Sequence, residues 1–166
     1  MEQAELKPGF VYHIKDSYFE TAQDSKLMRN HEGGARRPTY FCLRDKRTQL
    51  LWMVPMSSRV EKYQPFVDRD VEKFGVCRKI VIARYGDRES AFLLQNMFPI
   101  LPKYIDHVHT IYGRAVPLED RVIEEVRKAF GEVRRLHSRG ARLVFPDINR
   151  LERLMLDELA AEEAHK

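Results

Sequence analysis
The sequence predicts an α+β fold: an antiparallel, strongly curved β-sheet with short helices and a C-terminal helical pair packed on it. Three observations carry this expectation. Residues 10–112 are rich in short strand-like runs, interrupted by turn-forming residues and short helices. Beyond Pro117 the apolar residues recur at helical spacing instead. No linker, internal repeat or low-complexity tract divides the 166 residues, a length that suits one domain spanning 1–166.

The elements follow in order. Phe10-Val11-Tyr12-His13-Ile14 reads as a first strand, and Asp16 or Ser17 can cap a short helix through Ala22. Asp24-Ser25 can start a further turn carrying Leu27 and Met28. Residues 31–38, with Gly33-Gly34 inside, form a flexible loop by composition; it ends in Arg36 and Arg37, where an anion could be gripped. Residues 39–43 and 49–54 read as two strands joined by Asp45-Lys46-Arg47, and Pro55 is expected to end the second. Ser58-x-x-Glu61 matches a capping box at the head of a short helix, with Pro65 opening another that runs to Phe74. Residues 79–84 and 91–94 make a hairpin around Gly86-Asp87, and residues 96–100 lead into an extended region at 104–112.

In the last third, Leu118, Val122, Val126, Phe130 and Val133 form one helical stripe, which Gly131 weakens without ending and Gly140 closes. Asp147 caps a last helix with the stripe Ile148, Leu151, Met155 and Leu159.

Lys and Arg number 29 against 25 Asp and Glu, giving a net charge of +4, which favours an anionic partner such as nucleic acid. Cys42 and Cys77 belong to no CxxC pair, so a zinc site or disulfide framework is not expected and a reducing cytoplasm fits. The N-terminal MEQAELKPGF is charged and has no apolar core of a signal peptide, and no apolar run reaches membrane-spanning length. No Gly-rich phosphate loop, GxSxG or HExxH is present, which sets those enzyme classes aside.

The most informative stretch is residues 52–63. There a strand delivers Ser57, Ser58 and Arg59 to a strand–helix junction with Lys62 one turn on. Backbone N–H groups at a helix start favour negative charge, hydroxyls bond phosphate oxygens, and a guanidinium or ammonium offsets charge that develops in reaction. On pattern alone a plain helix cap is the stronger reading of these residues. Arg134, Arg135, His137, Arg139 and Arg142 cluster at the end of the first long helix, either complementing its C-terminus or forming an RNA groove. His107-x-His109 would place two rings on one strand face, yet no acidic or cysteine partner completes a metal set.

An ordered set of short motifs adds to this. Phe10-Val11-Tyr12-His13-Ile14, Tyr18, Asp24-Ser25-Lys26-Leu27-Met28, Arg37-Pro38-Thr39-Tyr40-Phe41, Val54-Pro55-Met56-Ser57-Ser58 and Gln95-Asn96-Met97-Phe98-Pro99-Ile100 together resemble the ToxN/AbiQ group of type III toxin–antitoxin toxins. These are endoribonucleases neutralised by a repeat-containing RNA. The resemblance covers most of the first hundred residues; the last third is similar only in being helical.

The resemblance implies a small-barrel, RNase-toxin-like sheet and a catalytic set drawn from Tyr18, Arg37, Ser57, Ser58, Arg59 and Lys62. Ser57 and Ser58 match the Thr-Ser of the family's Pro-Leu-Thr-Ser-Pro-Lys strand, whereas Arg59 falls at its proline and Val60 at its lysine. The missing cation must then come from Arg37, Arg59 or Lys62. The implied chemistry is RNA cleavage to 2′,3′-cyclic phosphate and 5′-OH ends, needing no metal or cofactor, with His13 a possible base. Implied partners are substrate mRNA and an antitoxin RNA of tandem pseudoknot-like units, assembled with the protein into a ring. Arg36, Arg134, Arg135, Arg139 and Arg142 are the candidate RNA-binding residues. A noncatalytic RNA-binding protein is the competing expectation.

Overall fold
A computed structural model describes residues 5–165; Met1 to Ala4, at the head of the charged N-terminal segment, and Lys166 lie outside the described residues. Seven strands form one antiparallel sheet: β1 (Val11–Ile14), β4 (Thr39–Arg44), β5 (Leu51–Ser57), β6 (Ile80–Tyr85), β7 (Arg88–Leu93), β8 (Phe98–Ile100) and β9 (Ile105–Val108). Two small hairpins lie beside it, β2–β3 (His31–Glu32 and Ala35–Arg36) and β10–β11 (Thr110–Ile111 and Arg114–Ala115). Four helices complete the fold: α1 (Asp16–Ala22), α2 (Val60–Phe74), α3 (Asp120–Ser138) and α4 (Ile148–Ala164).

The strand order is β6-β7-β5-β4-β1-β9, with β8 paired to β5 off this path. The path has two free ends, so the expected strongly curved small barrel does not form: the sheet is open. The reason lies in the burial pattern. Every residue of β5 is buried, and its neighbours divide between two cores. Trp52, Val54 and Met56 join Tyr40 and Cys42 on one face, under Val122, Val126, Phe130 and Val133 of α3. Leu51 and Met53 join Tyr12, Ile14 and Phe41 on the other, with Tyr18 of α1 and Leu151 and Met155 of α4. A sheet covered by helices on both faces has no interior left to close around. It also follows that α3 and α4 do not pack as a pair on one face, as expected; they cover opposite faces.

Four local expectations are corrected. Residues 31–36 are not a loose loop but a two-residue hairpin, because Gly33 and Gly34 take φ of 59° and 84°, the sign both central residues of a type I′ turn require. Pro55 does not end β5. On its far edge β5 pairs with β8 through Met53 and with β7 from Met56, so the proline's missing N–H falls between two ladders. The capping box is not made either. Arg59 occupies the N-cap of α2 without a side-chain cap, and the helix runs unbroken through Pro65. Asp147, by contrast, caps α4 as expected, its side chain accepting from the Arg150 N–H.

Candidate functional site
The change of partner along β5 shapes the site. At its C-terminal end β5 is flanked by β4 and β7, so Ser57 emerges between the start of β4 and the β6–β7 hairpin. The β2–β3 hairpin and the β10–β11 hairpin wall the two sides. The result is a cleft of about 590 Å³ whose lining includes Arg36, Arg37, Ser57, Ser58, Arg59, Arg88 and His109. Arg36, Arg37, Ser57, Ser58 and Arg59, all singled out in the sequence, thus converge from two separate segments of chain, and His109 joins them from a third.

Their roles differ. Ser57 is buried and its hydroxyl accepts from the Arg59 N–H at 3.2 Å, which tightens the turn and fixes the junction. Ser58 is exposed in the cleft. Arg59 is 60% exposed and its Nε reaches Glu32 Oε1 at 2.9 Å. Arg37 is the opposite case, with a side chain only 9% exposed. Its Nε donates to Arg29 O at 2.9 Å, Nη1 to Met56 O at 3.0 Å and Nη2 to Glu32 Oε2 at 2.9 Å. Arg37 therefore ties β5, the β2–β3 hairpin and the preceding turn together. Arg36 pairs with Asp106 on β9.

Two of the catalytic candidates stay away from the cleft. Tyr18 is fully buried beneath α1, stacked on Phe98, and its hydroxyl donates to Pro99 O at 3.0 Å. Burial pushes that hydroxyl's pKa well up, so it is a packed, neutral group. Lys62 is exposed on α2 with Nζ 5.5 Å from the ring centre of Tyr63, and it does not line the cleft. In the last third, Arg134 lays its guanidinium 4.3 Å above the Trp52 ring, a cation–π contact that extends the core, whereas Arg135, Arg139 and Arg142 are exposed.

One residue of the cleft lining, His109, belongs to a cluster of three histidines. His13 Nε2 lies 2.8 Å from His109 Nδ1, and the His107 ring stacks on His13 at 4.7 Å. Two neutral imidazoles at that distance share one proton between them, one donating and one accepting. The burial of the pair and its mutual repulsion, with His107 and Arg36 adding to it, bring the His13 pKa down to about 4; burial and then His107 lower that of His109. Both rings are therefore neutral near pH 7, and His109 faces the cleft. The signal available in sequence was His13 on a strand facing His-x-His, but the pairing of β1 with β9 was needed to read it. No group of three or more His, Cys, Asp or Glu among the described residues is arranged to hold a metal ion.

Neither a family model nor a curated protein sequence matches the chain. Its structure is similar to that of AbiQ, a lactococcal anti-phage endoribonuclease belonging to the type-III toxin–antitoxin system, with a TM-score of 0.64 and 14% identity over 95% of this chain and 98% of that one. The fold of this chain, along nearly its whole length, is the fold of AbiQ, a representative of the group its motifs resemble.

Proposed function
We propose that the chain, acting as one domain over residues 1–166, is a metal-independent endoribonuclease toxin of a type III toxin–antitoxin system. The observation that carries this reading is the cleft, where a free hydroxyl, two exposed guanidiniums and a neutral imidazole converge on a fold like that of AbiQ. Ser58, Arg59 and Arg88 orient and neutralise the scissile phosphate, with Arg36 behind them and Arg37 and Ser57 holding the frame. The 2′-oxygen attacks phosphorus and the P–O5′ bond breaks, leaving a 2′,3′-cyclic phosphate and a 5′-OH. His109 takes the 2′-OH proton and, because its lowered pKa makes the imidazolium a strong acid, returns one to the departing 5′-oxygen. His13 holds the His109 ring through the Nε2–Nδ1 contact. Tyr18 contributes through packing alone, and Lys62 takes no part in the step.

An antitoxin RNA of tandem repeats would fill this cleft, acting in the cytoplasm, while exposed Arg135, Arg139 and Arg142 bind a second RNA unit and so allow a closed protein–RNA ring. No helix among the described residues is long and apolar enough to cross a membrane. The test is cleavage of RNA by the purified protein in excess EDTA, with the new ends mapped chemically. Cyclic phosphate ends, lost in Ser58→Ala and His109→Ala and retained in Lys62→Ala, are expected. RNA binding without cleavage would instead support the noncatalytic reading, and retained cleavage in both the Ser58 and His109 variants would sink the proposed centre.

A further inference from the structure
The chain makes three two-residue hairpin turns beside the cleft, and one breaks the rule the others obey. Gly33-Gly34 and Gly86 supply glycine wherever φ is positive, at 59°, 84° and 64°. The β10–β11 turn instead places Tyr112 at φ 51°, followed by Gly113 at 79°. Both central residues positive is the type I′ arrangement, in which asparagine, aspartate or glycine is favoured at the first position and a bulky side chain is strained. Tyr112 gains no packing in return. It is 92% exposed, the most exposed of the large hydrophobic side chains among the described residues, and it stands on the rim of the cleft that holds Ser58, Arg59 and His109.

The hairpin itself is held firmly. Ile111 is half-buried against the main core, and its side chain closes over Gly86, where a β-carbon would approach Ile111 Cδ1 to 2.8 Å. The backbone from Val108 onward is anchored to β1 by the His109 N–H donating to Val11 O at 2.8 Å. A bare aromatic ring on a rigid mount, beside an anion-binding cleft, has the form of a stacking platform. Strain that buys no packing points to a ligand contact.

We infer that Tyr112 is a nucleobase subsite: it stacks on the base of a single-stranded nucleotide flanking the phosphate held by Ser58 and Arg59. This rests on the RNA-cleaving reading above and adds to it how the strand is registered. Stacking tolerates any base, so the subsite sets position along the strand and favours unpaired RNA over duplex.

The test uses Tyr112→Asn and Tyr112→Phe in the full chain. Asparagine suits the turn better than tyrosine, so Tyr112→Asn should melt no lower than the wild type. It should nevertheless weaken binding of a 2′-fluoro single-stranded oligonucleotide, which cannot be cleaved by 2′-OH attack, by about tenfold or more. KM for a cleavable strand should rise in parallel with kcat near wild type, and Tyr112→Phe should restore both. An abasic nucleotide at the flanking position should erase the difference between wild type and Tyr112→Asn. Unchanged binding in Tyr112→Asn overturns the inference, as does a lowered melting temperature that accounts for the loss. If the wild type binds the oligonucleotide but cleaves nothing, the nuclease reading fails while the stacking is still judged from the binding ratio. If the wild type binds no RNA, both fail.

Discussion

Arg37 separates a resemblance from a geometry, and its replacement measures which is right. Its side chain makes three hydrogen bonds, to Arg29 O, Met56 O and the Glu32 carboxylate, while only 9% exposed. At a net contribution of about 1–1.5 kcal/mol for each such bond, Arg37→Ala should cost roughly 3–4 kcal/mol of stability. For a domain of this size each kcal/mol moves the melting temperature by about 2–4 °C, so a fall of roughly 6–15 °C is expected. Arg37→Lys can keep one of the three bonds and should lose about two-thirds as much. Melting followed by circular dichroism gives the first number. Cleavage measured well below both transitions gives the second, and there Arg37→Ala should lose activity only so far as the Ser57–Arg59 junction loosens. A variant that melts like the wild type yet cleaves no RNA would refute this reasoning, because Arg37 would then be a phosphate ligand and not a strut.

Other outcomes follow from the same structure. Tyr18→Phe should lose about 1–2 kcal/mol through the abandoned Pro99 carbonyl and leave cleavage unchanged, read by melting and by turnover. His13 has a folded pKa of about 4 against 6.5 unfolded, so the unfolded chain binds more protons between these values. The stability that His13 supplies should therefore be complete above pH 6.5 and fall as pH drops toward 4, and His13→Gln should flatten the slope to the part that His109 keeps, as thermal melts across that range would report. Gly86→Ala forces a β-carbon into φ 64° and against Ile111, so it should cost about 1–2 kcal/mol and raise KM for RNA by displacing the Tyr112 hairpin; an unchanged KM would show that the two hairpins are not coupled.

What could be read from the sequence is what depends on local pattern. The apolar run around Trp52, the α3 stripe and the Asp147 cap each mark their element because local pattern and capping act over a few residues. The open sheet is hidden in the sequence because the uniformly apolar β5 carries no sign of which layers cover it; a strand buried on both faces looks the same in either architecture. The site divided along the same line. Ser57, Ser58 and Arg59 were visible as a junction, and Arg36 and Arg37 as a basic end to a loop. In the sequence His109 reads only as half of a metal pair, because its meeting with His13 spans 96 residues and exists only through strand pairing. Tyr18 lies apart from the cleft, which its motif could not reveal: a motif match gives a position in the chain and says nothing of which way the ring faces.

Glu32 has a consequence for what the cleft will accept. One of its oxygens holds Arg37 and the other holds Arg59, so a carboxylate already sits where an incoming anion must go. Binding at Arg59 is then an exchange of one anion for another, not the filling of an empty seat. A free phosphate or mononucleotide must outcompete a carboxylate that is tethered and always present, and gains little by doing so. A polynucleotide anchored at Arg88, which lines the same cleft, brings its next phosphate at high effective concentration, and the swap becomes favourable. On the proposed reading the cleft would therefore select by chain length, favouring RNA over the abundant small phosphates of a cell.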